Sequence, residues 1–148
     1  MATTMGSREQ TPDLPGAAIP FADSFQGLLG LEVEEVGDEL ATGRVSVREE
    51  LKGARGAVQG GVYAAIAEAV TSLATAVAVS PREMIAIGMA NDTNVRAQVT
   101  EGVLKVTARR RHHSDESWLW DAEVRDQRGR VCAVSTMTIA VRPRDRGR

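Results

Sequence analysis

Between Gly56 and Pro81 the chain carries one charged side chain, Glu68. The stretch around it, GAVQGGVYAAIAEAVTSLATAVAVSP, is dominated by Ala, Val, Ile and Leu. It is too apolar all round to show a wet face, so it predicts a helix packed deep in the fold or at a subunit interface. Burying an unpaired carboxylate costs several kcal/mol or forces its pKa upward. Such a cost is tolerated at catalytic sites; taken alone, Glu68 equally reads as facing solvent or neutralising an Arg across an interface. Gly60 and Gly61 stand where the helix begins and offer bare backbone N–H groups at the positive end of its dipole. A carboxylate two turns from such a helix start fits an acyl-transfer site, with the N–H groups polarising a carbonyl. The glycine pair also has a plainer use, letting two backbones pack closely. Gln59 precedes the pair. Ser72 follows Glu68 by one turn on the same face, placed to hydrogen-bond it, to position a water, or simply to pack.

The other chemically capable residues are less suggestive. His112 and His113 are adjacent on a predicted strand, so they point to opposite faces and do not share a metal. Arg109, Arg110 and Arg111 precede them, and Asp115 and Glu116 follow. That run reads as a solvated strand face, with a phosphate-holding role opposed by the two acids. Trp118 and Trp120 share one strand face and read as core or interface anchors. Cys132 lies in an apolar strand and reads as inert packing. No Ser-His-Asp arrangement, P-loop or dinucleotide fingerprint is present, and no metal site is expected.

The elements that must position Glu68 follow from the rest of the chain. Its 148 residues fit one domain with a sizeable core. Eighteen basic and 20 acidic residues leave a net charge of −2, which gives no case for nucleic-acid binding. A single cysteine excludes an internal disulfide and fits a reducing cytoplasm. The polar start, MATTMGSREQTPDLPG, lacks an apolar targeting core. The helix after Gly60 is long enough to raise the membrane question. Its Ala-rich composition and its Glu68, Thr71, Ser72 and Thr75 make it a core helix instead. Residues 1–20 read as a flexible tail, 21–142 as the domain and 143–148 as a basic tail. Phe21 to Leu29 predicts a short helix. Leu31 to Val36 and Ala41 to Val47 predict two strands around a Gly37-Asp38 turn. The long helix spans Gly60 to Val79 and stops at Ser80-Pro81. Four strands follow, Ile85 to Val95, Val103 to His113, Ser117 to Asp126 and Val131 to Arg142, the last two joined by the short connection Asp126-Gln127-Arg128-Gly129. Strands segregated from one dominant helix argue α+β, an antiparallel sheet packed on that helix.

The run VQGGVYAAIAEAVTSLAT, Val58 to Thr75, resembles the helix of hotdog-fold acyl-CoA thioesterases. The run WLWDAEVRDQRGRVCAVSTMTIAVRP, Trp118 to Pro143, resembles the terminal strands of that family. The nearest subgroups are the 4-hydroxybenzoyl-CoA thioesterase type and the phenylacetate-pathway thioesterases. The resemblance implies a long helix wrapped by a curved antiparallel sheet, and an active site shared by two subunits of a homodimer that assembles into a homotetramer. It implies hydrolysis of a small acyl-CoA, aromatic acyl groups included, with CoA present only as part of the substrate and no cofactor. Glu68 matches the catalytic nucleophile or general base, Gly60 the N–H at the thioester carbonyl, and Ser72 an assisting hydroxyl. Gln59 stands where the family usually has His; it can donate a hydrogen bond but does not titrate. Gly61, Arg96 and Arg142 are the implied substrate-binding residues. Gly53 falls where the closest subgroup has a polar side chain, and Arg96 is displaced by one residue along its strand, which flips its face unless a bulge intervenes. Asp115 and Glu116 replace a small neutral turn at which CoA is held in that subgroup. The same scaffold also serves hydratases, enzymes of carrier-protein thioesters and non-catalytic acyl binders.

Overall fold

A computed structural model describes Thr3–Thr4 and residues 11–145. The parts of the expected tails at residues 1–2, 5–10 and 146–148 lie outside the described residues. The order is β1 (Thr3–Thr4), a 3-10 turn at Phe21–Asp23, α1 (Phe25–Leu28), β2 (Glu32–Val36), β3 (Leu40–Ser46), α2 (Gly60–Val79), β4 (Met84–Val95), β5 (Val103–His113), β6 (Ser117–Arg125) and β7 (Val131–Pro143). The strands form one antiparallel sheet in the order β1-β2-β3-β5-β6-β7-β4. The α+β architecture expected from the sequence, a long central helix wrapped by an antiparallel sheet, is the one observed.

One side of α2 supplies Tyr63, Ile66, Val70 and Leu73, all essentially inaccessible to solvent. Their three- and four-residue spacing keeps them on one stripe. They meet the inward side chains of the sheet, among them Leu31, Val33, Val45, Leu104, Trp120, Met137 and Ile139. At Gly43 the sheet is bare where Val70 crosses it; an added Cβ would lie 3.3 Å from the Val70 methyl and 3.0 Å from the Glu32 carbonyl. Trp118 and Trp120 are both buried, their rings 6.2 Å apart, as the core reading required. The segment Gly60–Arg82 has the length and apolarity of a membrane span, but 67% of its apolar 18-residue stretch is buried inside the fold.

Three details differ from the sequence reading. The helix expected over Phe21 to Leu29 is broken at Ser24, whose hydroxyl accepts from the Gly27 N–H and caps α1. The expected tail before residue 21 is partly anchored. Thr3 and Thr4 pair with β2, Thr11 Oγ1 accepts from the Val33 N–H, and Asp13 Oδ1 accepts from the Phe21 N–H. Polar side chains that satisfy backbone donors in this way are invisible to hydrophobic periodicity. At the other end, β7 runs through Pro143, so the basic tail begins later than expected.

The edge strand β4 pairs only with β7. Its other side leaves Ile87, Met89 and Val95 exposed at 42%, 64% and 48%. A twelve-residue edge of this kind is a template for pairing with another chain.

Candidate active site

The loop before α2 fixes Gln59 first. The Val58 N–H donates to the Val99 carbonyl, the Gln59 N–H to the Leu51 carbonyl, and the Gly53 N–H to the Ala57 carbonyl. These bonds close residues 51–59 into a small hairpin and aim the chain into α2. Gln59 occupies the N-cap, but its side chain makes no capping bond. Its carboxamide instead folds back over Gly53, where an added Cβ would lie 2.3 Å from Oε1. Among the described residues no acceptor takes the Gly60 or Gly61 N–H, while Val62 N–H turns back to the Gln59 carbonyl. Two unpaired donors at a helix start are where partial positive charge concentrates. Gly61 lines a cavity of about 750 Å³ together with Phe25, Leu28, Leu51, Gly53 and Gln59, whose charged lining residues are Arg48, Glu50 and Lys52.

Glu68 lies two turns further along α2, about 12 Å by helical rise. Of the readings the sequence left open, burial within the chain's own core is the one the structure excludes. Glu68 is exposed in the single chain, not buried. The apolar neighbours that suggested burial line the other sides of α2, and Glu68 occupies the seam between the helix and the open edge of the sheet. Its carboxylate lies against β4 at Gly88, 2.5 Å from where a Cβ would stand. Further along the same strand Asn91 Nδ2 donates to the Ala64 carbonyl at 2.9 Å, and Thr93 Oγ1 donates to Asn91 Oδ1. At its far end Val95 touches Gly60, 3.5 Å from the position of a Cβ. The seam thus carries Glu68 at Gly88 and the helix start at Val95.

The remaining expected site residues are scattered. Ser72 makes no hydrogen bond to Glu68 and lines a separate apolar pocket of about 230 Å³ under Leu14, Ile19 and Phe21. Arg96 follows the last residue of β4, its N–H donating to the Cys132 carbonyl. Arg142 lies at the opposite end, paired with Ile85 and donating to the Glu116 carbonyl. Some eleven residues of strand, roughly 35 Å, separate the two. Arg82 approaches Asp115 at that same end, 4.0 Å away. His113 packs edge-on to Trp118, and a one-residue bulge separates Arg110 from His112. Cys132 is fully buried; burial first, then nearby Asp126, pushes its thiol pKa up, so it stays protonated and inert. Tyr63 is also fully buried, and burial pushes its phenol up to about 12. Sequence reasoning missed Gly88 and Asn91. Neither is chemically distinctive in a strand until the helix is docked on it.

No protein-family model matches the chain. The protein Rv1847 of Mycobacterium tuberculosis is 29% identical over 91% of this chain and 99% of its own length. Its solved structure superposes with a TM-score of 0.78, covering 86% of this chain and 99% of that one. Thioesterase PA1618 of Pseudomonas aeruginosa, solved as a glutamine-to-alanine variant, gives a TM-score of 0.80 at 26% identity, over 90% of this chain and 96% of its own. A 1,4-dihydroxy-2-naphthoyl-CoA hydrolase of Listeria monocytogenes is 26% identical over 80% of this chain and 95% of its own. These likenesses run nearly end to end and agree with the helix-and-sheet architecture that carries Glu68. The chain is similar to hotdog-fold thioesterases in sequence and in architecture.

Proposed function

We propose that the protein hydrolyses small acyl-CoA thioesters, aromatic acyl groups included, at two equivalent sites formed by two copies of the chain. The observation that carries this reading is the placement of Glu68 and of the free Gly60 N–H along one unpaired strand edge. A reacting carbonyl carbon and its oxygen are about one bond apart, and an attacking group must come within about 3–3.5 Å. Within one chain the two groups are too far apart along α2 for that. Antiparallel pairing of two β4 edges about Asn91 and Asp92 sets Gly88 of one copy opposite Val95 of its mate. Glu68 of one copy then meets the helix start of the other, twice per dimer. The same pairing brings Arg96 of one copy to the end of the sheet where Arg142 of its mate lies, a pair of cations for the CoA phosphates.

The chemistry follows from these groups. The Gly60 N–H, with Gly61 beside it and the Gln59 carboxamide as a further donor, stabilises negative charge developing on the thioester oxygen. Glu68 acts in one of two ways. As a base it takes a proton from water while the oxygen adds to the carbonyl carbon; the C–S bond then breaks and the thiolate recovers the proton. As a nucleophile it adds directly, releases the thiolate as a mixed anhydride forms, and is freed by water.

The test is thiol release from a panel of aryl- and short-chain acyl-CoAs, with wild type and Glu68→Ala side by side. Turnover that falls by several orders of magnitude in Glu68→Ala, with melting unchanged, supports the assignment. Equal turnover by both proteins removes Glu68 from the mechanism.

A further inference from the structure

Two glycines need no glycine backbone. Positive φ occurs at Gly16, Gly30, Gly56, Gly102 and Gly129, but not at Gly53 or Gly88. Nor does a neighbouring backbone crowd them as it does Gly27, where an added Cβ would stand 2.2 Å from the Ala22 carbonyl oxygen. What fills their side-chain space is in each case the polar tip of one candidate functional side chain. The Gln59 Oε1 lies 2.3 Å from a Cβ at 53, and the Glu68 Oε1 2.5 Å from a Cβ at 88. Gly88 is moreover inside a strand, where glycine weakens the element and often marks a close approach.

We infer that Gly53 and Gly88 are positioning residues, bare sockets that hold the Gln59 carboxamide and the Glu68 carboxylate at the thioester. This rests on the proposed role of Glu68 and goes beyond it by naming what aims the two groups. The sockets have rigid walls. The socket at 53 belongs to the hairpin in which the Gly53 N–H bonds the Ala57 carbonyl and the Gln59 N–H bonds the Leu51 carbonyl. The socket at 88 is held by Asn91, which donates to the Ala64 carbonyl. In α-helical bonding that carbonyl is also the acceptor for the backbone N–H of Glu68. Strand and carboxylate are therefore tied to one peptide group. Gly53 gains a role that its lack of a side chain had seemed to exclude: it leaves room for the carboxamide of the residue before the Gly60-Gly61 pair.

The displaced atoms are the ends of flexible side chains, so an alanine is accommodated by moving them, not by unfolding the chain. Gly→Ala at an ordinary φ also restricts the unfolded chain. Gly88→Ala and Gly53→Ala are expected to melt at or above the wild-type temperature, to keep KM for a turned-over acyl-CoA within about threefold, and to lose tenfold or more in kcat. Partner-shortening variants separate positioning from general damage. Gly53→Ala should cost little more once Gln59→Ala has removed the carboxamide. Gly88→Ala should cost little more on top of Glu68→Asp, whose shorter side chain withdraws from the socket. Full kcat in both glycine variants, alongside an inactive Glu68→Ala, overturns the socket assignment and leaves the site standing. Losses that add undiminished to those of the shortened partners overturn it too. Full turnover by Glu68→Ala overturns the reading of the site itself, and the sockets with it.

Discussion

Glu68 announces itself because it is the one charge in a long apolar helix, and that alone sufficed to single it out. What its neighbours did not reveal is that it is exposed in the single chain. An all-apolar helix reads the same whether its last face is covered by the chain's own core or by a second subunit, because periodicity records burial and not its source. Gly60 permits a sharper test of the backbone donor. It is the first residue of α2, where proline fits and an N–H is unpaired in any case. Gln59 before it already has φ −65° and ψ 138°, the extended geometry that a following proline requires. Gly60→Pro therefore deletes one N–H and leaves the helix intact. The expected result is an unchanged circular dichroism melt with kcat lowered about 100- to 1,000-fold, the usual loss for one donor at a developing oxyanion. Glu68→Gln should be comparably impaired or worse in kcat, since an amide is neither a base nor a nucleophile.

At the level of elements, the four strands after α2 were legible because turn signals punctuate them, and the register bears out the hairpin at Asp126–Gly129. Asp126 shows why that turn holds. Its Oδ1 accepts from the Arg128 and Arg130 N–H groups, and Oδ2 from the Arg130 guanidinium. The backbone bond from Arg130 is foremost in holding the carboxyl below the usual carboxylate range. A depressed folded pKa stabilises the fold above the unfolded value near 3.9, and that stability fades as pH falls through the folded pKa. Asp126→Asn should melt below wild type at neutral pH, with the two melting curves converging under acid, as read by scanning calorimetry from pH 7 to 2. A second contact was not legible. Thr75 lies fully buried on α2, accepting from the Trp120 indole N–H at 3.0 Å and donating to the Thr71 carbonyl. In sequence these threonines only argued against a membrane span; their partner 45 residues away emerges from the docking of helix on sheet. Thr75→Val keeps the shape and strands the indole N–H, which should cost about 1–3 kcal/mol in urea unfolding, with Thr75→Ser recovering most of it.

At the scale of the whole molecule, the single chain holds the two halves of the proposed reaction centre on one edge strand without bringing them together. Gly60 rests on Val95 and Glu68 on Gly88, seven residues apart on β4, whose outer side is open. An edge that long and apolar is a liability unless covered, and antiparallel pairing with a second copy would cover it and complete two sites at once. Co-expression of Glu68→Ala and Gly60→Pro chains distinguishes this arrangement from a site within one chain. Each variant alone is expected to be nearly inactive. In a mixed dimer with shared sites, one site receives both lesions and the other receives the intact Glu68 of one chain and the intact Gly60 N–H of its mate. Random pairing makes half the dimers mixed, so about a quarter of wild-type turnover should return. Were each site contained in one chain, every site would keep one lesion and no activity would return. The readout is thiol release from the co-purified mixture, with the fraction of mixed dimers counted by native mass spectrometry using chains of different tag length.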